Sequence, residues 1–191
     1  MASIKGTQTE KNLLASFAGE SQARNRYTYA ASVAKKEGYE QIAAIFLETA
    51  ENEKHHAKRF FSFLEGGMVE ISAMYPSGIV GSTLDNLKAA ADGEKEEHSK
   101  IYPEFAKIAN EEGFPQIASV FSTIAKIEAH HEQTYRMLLE NVSNGTVFKK
   151  ASTLKWVCRE CGHVHEGPEA PKMCPGCQHP QAFFQVLVDS Y

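Results

Sequence analysis

Two predicted helices of this sequence each place a glutamate and a histidine on the side that faces the core. Apolar residues recur along both helices at alternating steps of three and four, and Glu53 with His56 interrupts one series as Glu128 with His131 interrupts the other. Such a series predicts the buried side of a helix in a bundle. Because burying ionised side chains without a compensating charge is very costly, the chain requires a fold that neutralises these groups.

The helical periodicity covers most of the chain and predicts a four-helix bundle. The apolar spacing indicates helices near 9–36, 40–64, 83–111 and 115–141. Glycine-containing turns separate the first from the second helix and the third from the fourth, whereas a long stretch from Glu65 to Ser82 joins the second to the third. Two short turns and one long connection are typical of a bundle with a single crossover.

The two halves of this helical region repeat one another. Residues 37–46 match residues 112–121, and residues 53–56 match residues 128–131, in both cases at an offset of 75. Tyr27 corresponds to Tyr102 at the same offset. We therefore expect two helical hairpins of one design that face each other.

Three further glutamates share the core-facing phase, namely Glu20 on the first helix and Glu94 and Glu97 on the third. Two divalent metal ions would nearly balance five carboxylates and two neutral imidazoles, leaving a net charge of about −1. A Glu and a His three residues apart lie on one helical face and can bind one ion together. The alternative is a polar core layer in which these groups pair with Arg24, Arg26 or lysines. Two matched Glu–His pairs with three additional carboxylates favour the metal site.

A second, smaller domain is predicted after the bundle. The helical period ends near Asn141, and we divide the chain into residues 1–146 and residues 147–191. The second part holds every cysteine of the sequence, as two Cys-x-x-Cys pairs separated by twelve residues: Cys158, Cys161, Cys174 and Cys177. This spacing predicts a tetrahedral four-thiolate metal site. Iron and zinc both suit such a site, so a purely structural zinc ribbon is the alternative.

Charge and hydropathy exclude several classes of protein. A net charge of −4 and a pI near 6.1 argue against nucleic acid as the main partner. No apolar run is long enough to cross a membrane, and the polar segment that begins the sequence does not resemble a secretory signal. We therefore expect a cytoplasmic protein without membrane contact.

The repeated Glu-x-x-His combined with the paired Cys-x-x-Cys resembles the rubrerythrins, non-haem di-iron proteins of the ferritin-like class with a fused rubredoxin-like domain. Two glutamates plus two Glu-x-x-His motifs are known from di-iron bundles. The resemblance covers nearly the whole chain and implies a mainly α fold. It predicts a ferritin-like four-helix bundle with one long crossover, followed by a small rubredoxin-like metal knuckle with short β-strands. It also implies two iron ions bridged by carboxylates in the bundle and one iron ion on the four cysteines.

The resemblance also implies the ligands of the bundle, by matching motifs: Glu20, Glu53, His56, Glu94, Glu97, Glu128 and His131. Glu53 and Glu128 are implied as the bridging carboxylates. In rubrerythrins the iron near the residue matched by Glu97 exchanges that carboxylate for a histidine upon reduction, which gives Glu97 and His56 a catalytic role. Tyr27 and Tyr102 lie about two turns beyond Glu20 and Glu94, so each hydroxyl could support a ligand carboxylate. Plain core aromatics are the alternative for both tyrosines.

The function implied by the resemblance is a peroxidase that reduces hydrogen peroxide to water. Electrons would come from a donor protein such as a rubredoxin or its reductase, ultimately from NAD(P)H, and would pass through the four-cysteine iron. The alternatives are a ferroxidase or iron-handling protein, an oxygenase, and an electron carrier without a substrate. The short linker from Asn141 to Leu154 predicts a homodimer, in which the knuckle of one subunit serves the bundle of the other.

Overall fold

The structure is a computed structural model that describes residues 3–188. Its helices follow the predicted ones closely: α1 (Gln8–Lys36), α2 (Glu40–Phe61), α3 (Thr83–Glu96), α4 (Tyr102–Glu111) and α5 (Pro115–Ser143). The second helix ends three residues earlier than predicted. The third is not one regular helix, because a π-helical turn (Glu97–Ile101) connects α3 to α4.

Local sequence explains where these helices begin and end. The Thr7 side chain accepts a hydrogen bond from the amide of Glu10 at the start of α1, and Ser82 with Asp85 forms a capping box at the start of α3. The two short turns rely on Gly38 and Gly113, whose φ angles of +84° and +85° favour glycine. Residues 62–82, here called the connecting segment, cross the bundle without forming a helix or a strand.

The bundle interior consists of two apolar clusters at different heights. One cluster contains Tyr27, Phe46 and Tyr135, and the other contains Phe60 and Phe121. Burying a large apolar side chain of this kind contributes roughly 1.5–3 kcal/mol. In α2 and α5 the glutamates and histidines lie between the residues of the two clusters, so apolar packing above and below holds the polar layer in place.

A three-stranded antiparallel sheet forms the C-terminal module. Its strands are β1 (Lys149–Cys158), β2 (Val164–Glu169) and β3 (Phe184–Val186), in the order β2-β1-β3. Trp156 is fully buried beside Phe184, and its indole nitrogen donates to the carbonyl of Gly167 over 2.9 Å. The predicted mainly α fold with a small stranded knuckle is confirmed.

The module packs on the end of the bundle where α2 begins. The ring of Phe148 stacks on Tyr39 with centroids 6.1 Å apart, and Ala182 lies close to Gly38. Glu53 lies thirteen residues after Glu40 along α2, a rise of roughly 20 Å. The module of one chain therefore lies far from that chain's own polar layer. Among the described residues, no helix combines the length and apolar character needed to cross a membrane.

Candidate metal centres

Seven potential ligands from four segments were predicted in the bundle, and the structure gathers six of them into two overlapping groups. Within each group one donor atom per residue lies within 4.8 Å of the others, and every member is buried. The first group is Glu20, Glu53, His56 and Glu128, and the second is Glu53, Glu94, Glu128 and His131.

Glu53 and Glu128 belong to both groups and face both histidines. The Nδ1 atom of His56 lies 2.9 Å from one oxygen of Glu53 and 2.9 Å from one oxygen of Glu128. The Nδ1 atom of His131 lies 3.3 Å and 2.7 Å from the other oxygen of each carboxylate. This arrangement suits two carboxylates that bridge two ions, with Glu20 on the His56 side and Glu94 on the His131 side.

Each outer carboxylate is supported by a tyrosine from the opposite hairpin. Tyr102 donates its hydroxyl to Glu20 over 2.5 Å, and Tyr27 donates to Glu94. All four side chains are buried. Along the chain, Tyr27 lies about two turns beyond Glu20, and Tyr102 lies about two turns beyond Glu94. In the structure each tyrosine instead donates to the carboxylate of the other hairpin. The tyrosines thus link the hairpins through the outer carboxylates.

The electrostatics of the metal-free layer are those of an overcrowded acidic site. Burial and the charges of neighbouring glutamates raise the pKa of Glu20 and of Glu94 well above the ordinary value. Burial lowers the pKa of His56, but hydrogen bonds to Glu128 and Glu53 outweigh it and raise that pKa to about 10. Without metal ions the layer can therefore keep its carboxylates together only by holding protons.

Several buried polar atoms of the layer lack a hydrogen-bond partner within the described residues. They include the oxygen of Glu20 and the oxygen of Glu94 that no tyrosine reaches, whereas the oxygens of Glu53 and Glu128 have only the shared imidazole nitrogens described above. Buried polar groups in proteins are almost always paired, so these atoms need a partner other than a side chain. Two divalent cations would supply it, because their four positive charges balance the four clustered carboxylates.

Glu97 is the predicted ligand that lies outside both four-residue groups. It is half-buried at the start of the π-helical turn. Burial and the charges of Glu128 and Glu53 raise its pKa well above the ordinary value, while Arg26 acts in the opposite direction. Glu97 therefore lies within range of the charges of the bridging carboxylates and of Arg26, and its assignment as a ligand stays a prediction.

The π-helical turn is visible in the sequence as a change in the offset between the two repeats. Glu20 corresponds to Glu94 at an offset of 74, whereas Tyr27 corresponds to Tyr102 at an offset of 75. One residue has thus been added to the second repeat between these positions. A single added residue inside a helix is accommodated as a π-bulge, a feature that is frequent at functional sites.

Two histidines outside the predicted ligand set have specific partners. His98, in the π-helical turn, is half-buried, and its Nε2 lies 2.7 Å from Glu132 of α5. Arg136 contacts Glu132 and also Asp92, over 3.2 Å and 2.8 Å. In the knuckle, the Nδ1 atom of His179 lies 3.3 Å from the sulfur of Cys177.

The four cysteine sulfurs converge with the spacing of a tetrahedral metal site. Cys158 and Cys177 have sulfurs 3.7 Å apart, and Cys161 and Cys174 have sulfurs 3.6 Å apart. Tetrahedral ligands with metal–sulfur bonds of about 2.3 Å have sulfurs roughly 3.8 Å apart. Burial raises the pKa of the Cys174 thiol, but backbone amides of Cys177 and Gly176 outweigh it and bring that pKa down to about 7. Cys174 is therefore the thiol that ionises most readily, whereas the pKa of Cys177, which the backbone amide of His179 lowers, is raised to about 12 by burial and by hydrogen bonds to the other three thiols.

Comparison with known proteins establishes the family of this chain. The family model described as Rubrerythrin matches residues 11–139, and the model described as the rubredoxin-like domain of rubrerythrin matches residues 156–185. The chain belongs to the rubrerythrin family. Among curated rubrerythrins, that of Porphyromonas gingivalis is 61% identical over 99% of this chain and 94% of its own length. That of Nitratidesulfovibrio vulgaris is 53% identical over 98% of both chains.

Solved structures agree with this assignment. Nigerythrin in its fully reduced, all-ferrous state superposes with a TM-score of 0.63 at 30% identity, over 97% of this chain and 92% of the other. The rubrerythrin family binds iron, and both donor sets described above fit it. In this rubrerythrin the carboxylate and histidine layer is a di-iron site, and the four cysteines form an iron knuckle.

Proposed function

We propose that this rubrerythrin is a peroxidase that reduces hydrogen peroxide to water. The observation that carries the proposal is the presence, on one chain, of a buried two-ion layer with shared Glu53 and Glu128 and of a four-thiolate iron site. When bound in this layer, two ferrous ions would supply the two electrons that cleavage of an O–O bond requires. The knuckle is a one-electron carrier suited to restoring them.

Residues of the layer and next to it would orient the iron ligands and exchange one of them. Tyr102 and Tyr27 hold the outer carboxylates Glu20 and Glu94 in fixed orientations, since each hydroxyl donates to one of them. His56 and Glu97 are proposed to alternate as ligands of one ion. Their positions support this, because His56 lies inside the first group while Glu97 lies next to it on a π-helical turn.

We propose two functional units, residues 1–146 for peroxide reduction and residues 147–191 for electron entry. The donor would be a rubredoxin or its reductase, supplied in turn by NAD(P)H in the reducing cytoplasm. The knuckle packs at the far end of its own bundle, next to Tyr39. We therefore propose a homodimer in which each knuckle approaches the di-iron layer of the partner.

Anaerobic stopped-flow absorption tests the reaction directly. Fully reduced protein is mixed with one equivalent of hydrogen peroxide or of oxygen, and the metal content is measured in parallel. We expect peroxide to re-oxidise both iron signals faster than oxygen does. Slower re-oxidation by peroxide than by oxygen would instead support a ferroxidase or an oxygenase, and protein that stays reduced would support a simple electron carrier.

A mixed dimer tests the exchange between subunits. One chain carries Glu128→Ala, which disables the bundle, and the other carries Cys158→Ser with Cys174→Ser, which disables the knuckle. In the mixed dimer one intact bundle meets one intact knuckle of the other chain, so we expect peroxidase turnover that neither homodimer shows. A mixed dimer as inactive as its parents would refute the arrangement.

A further inference from the structure

A large cavity lies between the connecting segment and the helices of the bundle. Its walls come from α1, α3, the π-helical turn and α4. Its volume is about 1130 Å³. Hydrogen peroxide has two heavy atoms and requires the space of about two water molecules, roughly 60 Å³. Pockets for organic ligands span roughly 300–1,000 Å³. The cavity is therefore much larger than hydrogen peroxide requires.

The cavity adjoins the metal layer through two of its wall residues. Glu97 and Tyr102 both line it. The hydroxyl of Tyr102 donates to Glu20, and Glu97 lies close enough to Glu53 and Glu128 for their charges to act on it. A molecule in the cavity would therefore meet the di-iron layer at the position of Glu97.

Two glycines within the helices that line the cavity leave space that a larger side chain would fill. Gly19 and Gly93 line the cavity and immediately precede the outer ligands Glu20 and Glu94. A glycine inside a helix costs roughly 1 kcal/mol relative to alanine. Packing does not require either one, because a Cβ atom at Gly93 would meet nothing within 4 Å and one at Gly19 would make an ordinary contact with Tyr75. Their effect is to leave open space beside the metal layer.

The walls suit a neutral molecule with a hydrocarbon part. Ile101, Phe105 and Tyr75 provide apolar surface, and Arg26 provides a hydrogen-bond donor near Glu97. The charged wall residues comprise four lysines or arginines and five glutamates. Because these charges nearly cancel, the cavity does not select for an anion or for a cation.

We propose that this cavity binds organic hydroperoxides, ROOH, as a second class of substrate. The hydrocarbon group lies along Ile101, Phe105 and Tyr75, and the –OOH end lies against Glu97 and Arg26. The proposal rests on the peroxidase function above and names a substrate class for the same site. The reaction is ROOH + 2e⁻ + 2H⁺ → ROH + H₂O. The O–O bond breaks, the peroxide is reduced, the electrons come from the reduced di-iron site, and the protons come from water.

The decisive variant is Gly93→Leu, which adds an apolar side chain to the cavity wall at a position where a Cβ atom would meet nothing within 4 Å. Gly93→Ala adds a single methyl group at the same place. Gly78→Leu is the matched control, since Gly78 lies in the connecting segment, is not a wall residue, and also has no atom within 4 Å of a built Cβ. Thermal unfolding followed by circular dichroism establishes that each variant is folded.

Two measurements are made on the iron-loaded protein. The first is the ratio of kcat/KM for cumene hydroperoxide to kcat/KM for hydrogen peroxide. The second is the binding of the product alcohol, 2-phenyl-2-propanol, to the resting protein by calorimetry, which requires no turnover. We expect Gly93→Leu to lower the ratio and to weaken alcohol binding by at least about tenfold each, with a smaller effect of Gly93→Ala and none of Gly78→Leu.

The outcomes separate this inference from the peroxidase proposal. If the wild-type protein reduces hydrogen peroxide but neither reduces cumene hydroperoxide nor binds the alcohol, the cavity is not a substrate site and the inference is wrong. An unchanged ratio in Gly93→Leu would overturn it equally. Alcohol binding that Gly93→Leu abolishes, in a protein inactive on both peroxides, would retain the ligand site and reject the peroxidase function.

Discussion

Tyr102 on α4 donates its hydroxyl to Glu20 on α1, which belongs to the other helical hairpin. Tyr27 on α1 makes the reciprocal contact with Glu94 on α3. Both tyrosines are almost fully buried. Burial of a hydrogen-bonded hydroxyl is favourable only while the partner stays in place, so each contact fixes the orientation of an outer ligand and the packing of one hairpin on the other.

Replacing Tyr102 with phenylalanine should weaken the binding of the iron ion on the Glu20 side. The substitution keeps the ring and removes the hydroxyl, so Glu20 loses its donor. We expect the iron affinity of that position to fall roughly 10- to 100-fold. Iron retained after a timed chelator challenge measures the effect. Tyr29→Phe, at an exposed position of α1, is the control, and equal retention by both variants would contradict the supporting role.

Removing a bridging carboxylate should lower the amount of bound iron more than removing an outer carboxylate does. Glu128 contributes an oxygen to each group, whereas Glu20 belongs to the first group alone. We expect Glu128→Ala to lose both bundle ions and Glu20→Ala to retain about one. Elemental analysis with Mössbauer spectroscopy distinguishes the two results. Glu51→Ala, on the exposed side of α2, should retain both ions. A Glu128→Ala protein with one firmly bound ion would argue against bridging.

The metal-free protein should lose stability as the pH rises above neutral. The pKa of His56 is raised to about 10 and that of His131 to about 9, because hydrogen bonds to Glu128 and Glu53 outweigh the burial that lowers both. A group with a folded pKa above its unfolded value stabilises the fold fully below the unfolded pKa, here about 6.5. That stabilisation is lost between about pH 6.5 and pH 10.

Urea unfolding of metal-free protein at pH 6.5, 8 and 9.5 measures this loss. The raised pKa values of Glu20 and Glu94 act in the same direction, since these carboxyls favour the folded state while protonated. The double variant His56→Gln/His131→Gln should lose the imidazole contribution and show a weaker pH dependence over this range. A free energy of unfolding that rises with pH in the metal-free wild type would show that the two imidazoles are not held protonated.

Loss of the Glu132 carboxylate should loosen the π-helical turn. Glu132 pairs with His98 of that turn, and Arg136 holds Glu132 in place from the next turn of α5. A hydrogen bond to a charged group contributes roughly 1.5–3 kcal/mol. We expect Glu132→Gln to speed amide hydrogen exchange at residues 97–101 by about tenfold. Asp92→Asn, which affects only the outer contact of Arg136, should change exchange less, and equal exchange in both would refute a clamp at Glu132.

Much of the fold was predictable because it depends on short-range pattern. The spacing of apolar residues identified the helices, and Gly38 and Gly113 marked the turns within a residue or two. Glu53, His56, Glu128 and His131 stood out because burying them requires a compensating charge, which is a physical constraint visible in the sequence. The paired Cys-x-x-Cys motifs predicted their cluster for the same reason, since neighbouring thiols at this spacing converge on one ion.

The sequence alone determined that glutamates and histidines of four helices face the interior and that they need a compensating charge there. Only the tertiary structure decided that Tyr102 supports Glu20 instead of Glu94 and that a π-helical turn begins at Glu97. It also decided that Gly93 lines a cavity. Periodicity fixes the direction of a side chain relative to its own helix, but not its height and distance relative to another helix. Those depend on how the two hairpins pack together, which is set by many weak contacts between distant parts of the chain.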